Sequence, residues 1–477
     1  MITTLAFRHL QVRKLRSVFL LLGFSLGVGV MIVLLSVGEA MLDQSRDVSL
    51  VGGGELTVLP QGIDVEAMRT GGAGGMFFGI DRARFLTRQI LGGARQDGLV
   101  QVVSPAIEGK LLYLRHGNRT VAVRAGAEIP SRALAVGSRL DVRSGGWDDS
   151  SSDSAYVAPT PHQLYHELDR FHLPPRADST WGEWHYFNLL TAQDEWWHIT
   201  YLVGGEVPAG KWGGQLLITH RRPGGRHERF SAQAPSSQVE FDTTGADLVI
   251  GGNSVRQRDG IYQLEARAPG ERGDLKIEVT LVPTPNRYFP PVELGDDQFV
   301  SGYVVPALDG RASGRICVAG RCDSFTGVPA YHDHNWGIWR DVTWEWGAAR
   351  GTRFNLLYGG VYGAKEERSP FFLTLVDSLG VNQVLRFNQI RYQGARAIAG
   401  STRTIAPARF TLVGAREADT VRLDVQVGDV MATEMRASKF RRIFLQMRGR
   451  FTLAGRVAGE TVADSGMGFF ETYVPAP

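Results

Sequence analysis

Cysteine is nearly absent from this sequence: Cys317 and Cys322 are the only two in 477 residues. That excludes a disulfide-dense scaffold and a cysteine-rich zinc module. An excess of either charge is lacking too. Lys and Arg number 52 against 49 Asp and Glu, leaving a net charge of +3. The arginines are scattered, so no basic stripe argues for nucleic acid as a partner. The glycine-rich stretch Gly71 to Gly75 is followed by no Walker lysine and reads as a flexible turn, so the chain carries no ATPase motif. No tandem repeat is visible. Of the apolar runs, only Ser17 to Gly38 is long enough to span a bilayer as a helix.

What is present points to β structure outside the cell's interior. The chain is too long for one ordinary core, which predicts two to four domains. Its 58 glycines favour turn-rich β architecture over helix bundles. Arg8, Arg13, Lys14 and Arg16 precede the apolar run, and Glu39, Asp43 and Asp47 follow it. The positive-inside rule then predicts residues 1–16 as a cytoplasmic tail, 17–38 as a single transmembrane helix, and the rest facing the periplasm or cell exterior. A cleaved signal peptide ending near Ser36 to Ala40 is the alternative.

Beyond the run, residues 48–58 and 98–125 read as strands and Asp81 to Leu91 as a short helix. The polar stretch Gly145 to Ser154 reads as a linker closing a segment 39–144. His162 to Phe171 fits one or two helical turns. From Trp181 onward, short alternating runs separated by Gly and Pro turns predict a sandwich or up-and-down barrel, divided into halves 155–300 and 301–477. Around Ala319-Gly320 a two-residue turn would set Cys317 directly opposite Cys322, which suits a cross-strand disulfide. Two free buried thiols are the other reading.

The stretch Tyr331-His332-Asp333-His334-Asn335-Trp336-Gly337 carries the densest chemistry. On a strand, His332, His334 and Trp336 share one face and Asp333 and Asn335 the other. Such polar groups beside tryptophan suggest the wall of a mostly apolar cavity, with Trp344 and Trp346 continuing it. Glu183, Trp184, Tyr186 and Glu471 are further candidates for ligand contact. In catalysis, His334 would donate a proton and Trp336 would stabilise a cation through its π face. The competing reading makes Asp333, His334 and Asn335 a hydrogen-bonded turn, with Trp336 as core. A metal reading of His332 and His334 with His185 or His198 ranks below ordinary hydrogen bonding, so no metal or other cofactor is expected.

Two family resemblances add to this. Leu5 to Leu10, Arg13 to Ser17, Gly54 to Pro60 and Val102 to Pro105 resemble the first membrane helix and the start of the periplasmic domain of MacB/FtsX-type ABC-transporter permeases. Gly327 to Gly337, Glu183 to Tyr186, Ser301 to Pro306 and Gly466 to Glu471 resemble the AttH-like, carotenoid 1,2-hydratase (hydroxyneurosporene synthase) family over 155–477. Together they imply a mainly β protein: two lipocalin-like β-barrels preceded by one transmembrane helix and a small α+β extracytoplasmic domain. The function they imply is a membrane-anchored protein holding an apolar lipid or isoprenoid ligand beside an ABC-transporter ATPase and permease. The alternative is an isoprenoid or carotenoid hydratase or cyclase. The resemblance also implies a catalytic tyrosine, Tyr358 or Tyr362, and an aspartate beside it, and no aspartate lies nearby in 354–363.

Overall fold

The computed structural model describes residues 14–46, 99–136 and 169–475, apart from short gaps, and a few single positions between 58 and 95. The expected strand at 48–57, the loop at 71–75, most of the helix at 81–91, the linker at 145–154 and residues 162–168 lie outside them. The chain forms two compact units, one of Met1–Leu91 with Gly98–Ala158 and one of Gly92–Asp97 with Pro159–Pro477.

In the first unit, helix α1 covers Lys14–Arg46. Strands β1 (Ala106–His116) and β2 (Arg119–Glu128) form a hairpin, followed by the short helix α2 (Pro130–Ala135). The expected transmembrane anchor is corrected here. No helix among the described residues is long and apolar enough to cross a membrane. The single-pass topology, the inner-membrane location and the partnership with an ABC transporter all rested on that anchor and lose their basis with it.

The second unit contains two β-barrels. The first is built from β3 (Trp181–Ala192), β4 (Glu195–Glu206), β5 (Lys211–Arg221), β6 (His227–Pro235), β7 (Val239–Phe241), β8 (Leu248–Ile250), β9 (Asn253–Arg258), β10 (Ile261–Ala268), β11 (Leu275–Pro283), β12 (Phe289–Gly295), β13 (Val300–Val318) and β14 (Arg321–Ile338). Their order is β6-β5-β4-β3-β14-β13-β11-β10-β9-β8-β7, with β12 paired to β13, and every pairing is antiparallel. A bridge between Phe230 and Gly270 brings the β6 edge back to the turn after β10 and curls the sheet toward closure.

The second barrel takes β15 (Thr343–Gly351), β16 (Asn355–Tyr362), β17 (Phe371–Asp377), β18 (Gly380–Phe387), β19 (Ile390–Gln393), β22 (Arg409–Arg416), β23 (Asp419–Met435), β24 (Arg442–Val457) and β25 (Glu460–Pro475), while β20 (Arg396–Ala397) and β21 (Ile405–Ala406) pair with each other. Pairing of β18 with β22 closes its ring. The sheets divide between Ile338 and Thr343. The long hairpin β13–β14 therefore completes the first barrel, where the sequence reading had grouped 301–338 with the second.

Alternation explains the cores. In β10, Tyr262, Leu264, Ala266 and Ala268 are buried while Gln263, Glu265 and Arg267 are exposed. Inward residues such as Phe187, Leu189 and Tyr201 are fully buried, each worth roughly 1.5–3 kcal/mol of apolar burial. A second cluster fills the other barrel around Phe410, Phe451 and Phe470. A third, including Tyr186, Tyr303 and Tyr331 of the first barrel and Trp346, Phe372 and Phe469 of the second, joins the two. At the tip of β13–β14, Ala319 and Gly320 both take positive φ, the geometry of a tight hairpin turn, and Cys317 and Cys322 are disulfide-bonded across it.

Candidate functional site

Strand β14 lies between β3 and β13, and its two faces carry different chemistry. The register with β3 sets Asp333 opposite Tyr186 and Asn335 opposite Trp184 on one face, and His334 opposite His185 and Trp336 opposite Glu183 on the other. Directly opposed residues share a face, so β3 and β14 together furnish both groups.

The face turned away from the first barrel's core borders a cavity of about 810 Å³. Trp184, Tyr186, Asp333, Asn335, Trp344, Trp346 and Glu471 all line it, together with Tyr303, Gln446 and Tyr473. The polar groups are held in place by one another. Tyr331 donates its hydroxyl hydrogen bond to Asp333 Oδ2 at 2.7 Å, Asn335 Nδ2 donates to Oδ1 at 2.7 Å, and Trp346 Nε1 donates to the Tyr331 hydroxyl at 3.0 Å. Trp344 Nε1 donates to Glu471 Oε2 at 3.1 Å and Gln446 Nε2 to Oε1 at 3.2 Å. Tyr186 donates to His198 Nδ1 at 2.5 Å. Burial drives His198 down to about 3, so it is a neutral acceptor.

Burial also raises both carboxyls. Asp333 is pushed up to about 8, with the nearby Glu471 charge adding to the effect, and Glu471 is raised for the same reason. The wall thus combines aromatic faces, able to stabilise a developing cation, with carboxyls suited to giving and taking a proton.

The opposite face points into the first barrel. Asp169 is fully buried there and meets His332 Nε2 at 3.0 Å through Oδ2. His334 Nδ1 hydrogen-bonds its Oδ1, and Tyr262 donates to Oδ2 at 2.6 Å. His185 Nδ1 lies 3.9 Å from Oδ1. Glu183, also fully buried, receives the backbone N–H of His172 at 2.9 Å and lies 2.9 Å from His334 Nε2, off the hydrogen-bond axis. Burial alone would depress His334, but Asp169 and then Glu183 outweigh it and raise it to about 9. His185 goes the other way, lowered by burial and by the neighbouring His334. Trp336 stacks on His172 at 3.8 Å and covers Gly302 so closely that a Cβ there would sit 2.0 Å from Trp336 Cε2.

The sequence-selected residues therefore separate into three places. Trp184, Tyr186, Asp333, Asn335, Trp344, Trp346 and Glu471 gather on the cavity. Glu183, His332, His334 and Trp336 lie on the inner side of β3 and β14. Tyr358 is buried in the second barrel's core and is not on the cavity wall. Asp169, Tyr331 and Gln446 escaped the sequence reading. Asp169 stands in a stretch expected to be helical, and its partners His332 and His334 are 163 and 165 residues away. Tyr331 lay within the singled-out motif but offers no local sign that it would hold Asp333.

No family model matches this chain, and no characterised protein matches it in sequence. Neither the permease resemblance nor the hydratase-family resemblance drawn from motifs gains support there. Among solved structures, a protein described as a putative AttH from Nitrosomonas europaea aligns at 16% identity and TM-score 0.44, covering 63% of this chain and 97% of that one. CghA bound to Sch210972 aligns at 9% identity and TM-score 0.45, covering 65% and 95%. Kievitone hydratase from Nectria haematococca aligns at 12% identity and TM-score 0.42, covering 64% and 96%. Likenesses of this size carry no weight for function, which has to be read from the site itself.

Proposed function

We propose that this chain is an enzyme that adds a proton to a carbon–carbon double bond of an apolar small molecule, with water or a second double bond capturing the cation. The observation that carries it is a placement: the buried carboxyl of Asp333 stands on the wall of a cavity otherwise dominated by Trp184, Trp344, Trp346 and Tyr303. A cavity of about 810 Å³ falls in the range of small-molecule sites, roughly 300–1,000 Å³.

In the proposed step, Asp333 transfers its carboxyl proton to one alkene carbon. The π pair forms the new C–H bond, and the adjacent carbon becomes cationic. The indole faces of Trp344 and Trp346 and the Glu471 carboxyl stabilise that charge. In hydration, water forms the C–O bond and returns its second proton to Asp333, so alkene plus water gives alcohol. In cyclisation, an internal double bond forms the new C–C bond, and a carbon-bound proton leaves to Asp333 instead. The chemistry is that of a hydratase or cyclase, with Asp333 in the acid's place and His334 behind it on the other face of the strand.

The test is incubation of the purified chain with a panel of isoprenoid and polyene alkenes in deuterated water, with products read by mass spectrometry. Deuterium on carbon together with added water, or with a new ring, is the expected result. Asp333→Asn, which keeps size and leaves Tyr331 and Asn335 partners to bond, should slow turnover by about 10²–10⁴-fold while circular dichroism stays unchanged. A folded Asp333→Asn protein with undiminished turnover would overturn the role of the acid. Tight binding of panel compounds without deuterium incorporation would reduce the site to a carrier.

A further inference from the structure

The three histidines inside the first barrel converge on one carboxylate, and hydrogen bonds account for His332 and His334 but not for His185. Each directs one ring nitrogen outward to an acceptor. His185 Nε2 donates to the Ala246 carbonyl at 2.9 Å, His332 Nδ1 donates to the Tyr186 carbonyl at 3.1 Å, and His334 Nε2 faces Glu183 Oε1 at 2.9 Å. His185, whose N–H is spent outward on the Ala246 carbonyl, presents a lone pair inward at Nδ1. Here the inward atoms are His185 Nδ1, His332 Nε2 and His334 Nδ1, and all three converge on the one carboxylate of Asp169. Of the three, His332 and His334 hydrogen-bond the carboxylate, whereas His185 Nδ1 meets it with no hydrogen bond.

His185 Nδ1 makes the point most sharply. It is completely buried and has no hydrogen-bond partner among the described residues. A buried nitrogen left in that state costs about 1–3 kcal/mol.

We propose that Asp169, His185 and His334 form a site for a divalent transition metal, with zinc the ion that this donor set suits and His332 holding the carboxylate's other oxygen. Two imidazoles and one carboxylate are zinc ligands by type. Bonds near 2.0–2.1 Å place tetrahedral ligand atoms roughly 3.3 Å apart. His185 Nδ1 stands 3.9 Å from Asp169 Oδ1, whereas His334 Nδ1 is at hydrogen-bond range of that oxygen and would have to draw back for both to bind one ion. The donor atoms of Asp169, His185 and His334 all lie within 4.8 Å of one another.

The surroundings match those of a metal centre. His185 is oriented by the Ala246 carbonyl, and the Glu183 carboxylate lies beside His334 Nε2. The Asp169 carboxylate is itself held by Tyr262, which in turn accepts from Gln257 Nε2 at 3.0 Å. Outer partners of this kind fix ligand orientation at metal sites. Phe171 and Phe187 pack against the rings, at 4.7 Å from His334 and 4.1 Å from His332, and keep water away. All three ligands are fully buried, so the site is closed to substrate and the metal's role is structural. It ties β3 to β14 and to the segment around Asp169, and it fixes the strand whose other face carries Asp333. The site stands whether or not the cavity is catalytic.

The experiment uses the full chain, purified without chelator or immobilised metal. Metal content is measured by plasma mass spectrometry, and thermal unfolding is followed before chelation, after it, and on titration with zinc chloride, with magnesium chloride as control. The expected result is about one zinc per chain, a fall in Tm on chelation, and recovery with zinc but not with magnesium. Cobalt chloride added to the stripped chain should give the visible absorption of a tetrahedral centre. His185→Phe should lose the bound metal. If that variant does not fold, the stripping and refilling of the unaltered chain decides the matter. A folded chain that purifies without transition metal and shows no change in Tm on adding zinc overturns the proposal. Full zinc content in a folded His185→Phe protein overturns it equally.

Discussion

The two barrels answer the same problem, how to keep an acid inside a ring of strands, in opposite ways. In the first, Asp169 is surrounded by His185, His332 and His334, and burial's tendency to raise its pKa is overcome by the histidines, so it is held well below the usual carboxylate range. In the second, Glu345 meets only hydroxyls, Tyr392 at 2.6 Å and Thr472 at 2.8 Å. Burial wins there and pushes it up to about 7. An isolated buried acid avoids its desolvation cost by keeping its proton; an acid surrounded by imidazoles stays ionised and organises them. The first arrangement commits several side chains to one charge and is the mark of a built site. The second is compatible with a core whose remaining interior is filled by Phe410, Phe451 and Phe470.

The most severe way to break the contrast is to remove the centre of each interior. Asp169→Ala and Phe410→Ala should each cost about 3–5 kcal/mol, the first by stranding buried charge and the second by opening a cavity. Near-isosteric replacements then separate the causes. Asp169→Asn should remain costly, because the loss is of charge, whereas Phe410→Leu should cost only about 1–2 kcal/mol, because most of the volume is kept. Urea unfolding measures all four. A mild Asp169→Asn would mean that the first interior is packing, like the second.

A smaller effect follows from Glu345. Its folded pKa lies above the unfolded value, so its contribution to stability is fully present below about pH 4.5 and is lost as the pH rises through about 7. The loss is on the order of 3 kcal/mol. Glu345→Gln should remove it, so that the variant's stability relative to the unaltered chain climbs between pH 5 and pH 8 by roughly that amount. A flat difference across the range would show that Glu345 is ionised in the fold.

The smallest effect concerns Tyr358. Its hydroxyl is buried in the second barrel and has no hydrogen-bond partner among the described residues. Tyr358→Phe should therefore be neutral or stabilising by up to about 1 kcal/mol, with no change in turnover, since the side chain is off the cavity wall. Lost activity with an unchanged Tm would return Tyr358 to the site and weaken the division between a working first barrel and a packed second one.

Much of the fold was legible because it is local. Alternation along β10 and β24, turns at Gly and Pro, and the two-residue turn that opposes Cys317 to Cys322 are properties of neighbouring residues. Where one barrel stops and the other begins was not legible. The β13–β14 hairpin joins β3 and β11 through hydrogen bonds that no short-range pattern encodes. The anchor read from Ser17 to Gly38 shows the opposite failing: apolar composition alone suggested a bilayer span that no described helix provides.

By itself, then, the sequence determined that this is a strand-rich chain and that residues 331–337 set histidine, aspartate, asparagine and tryptophan along one strand, because side-chain period and residue type are written position by position. It also placed His332 and His334 on one face of a strand and Asp333 on the other. Only the tertiary structure decided which face meets the cavity and which meets Asp169. That choice depends on the curl of the sheet and on a residue more than a hundred positions away, both set by closing the barrel rather than by any local preference.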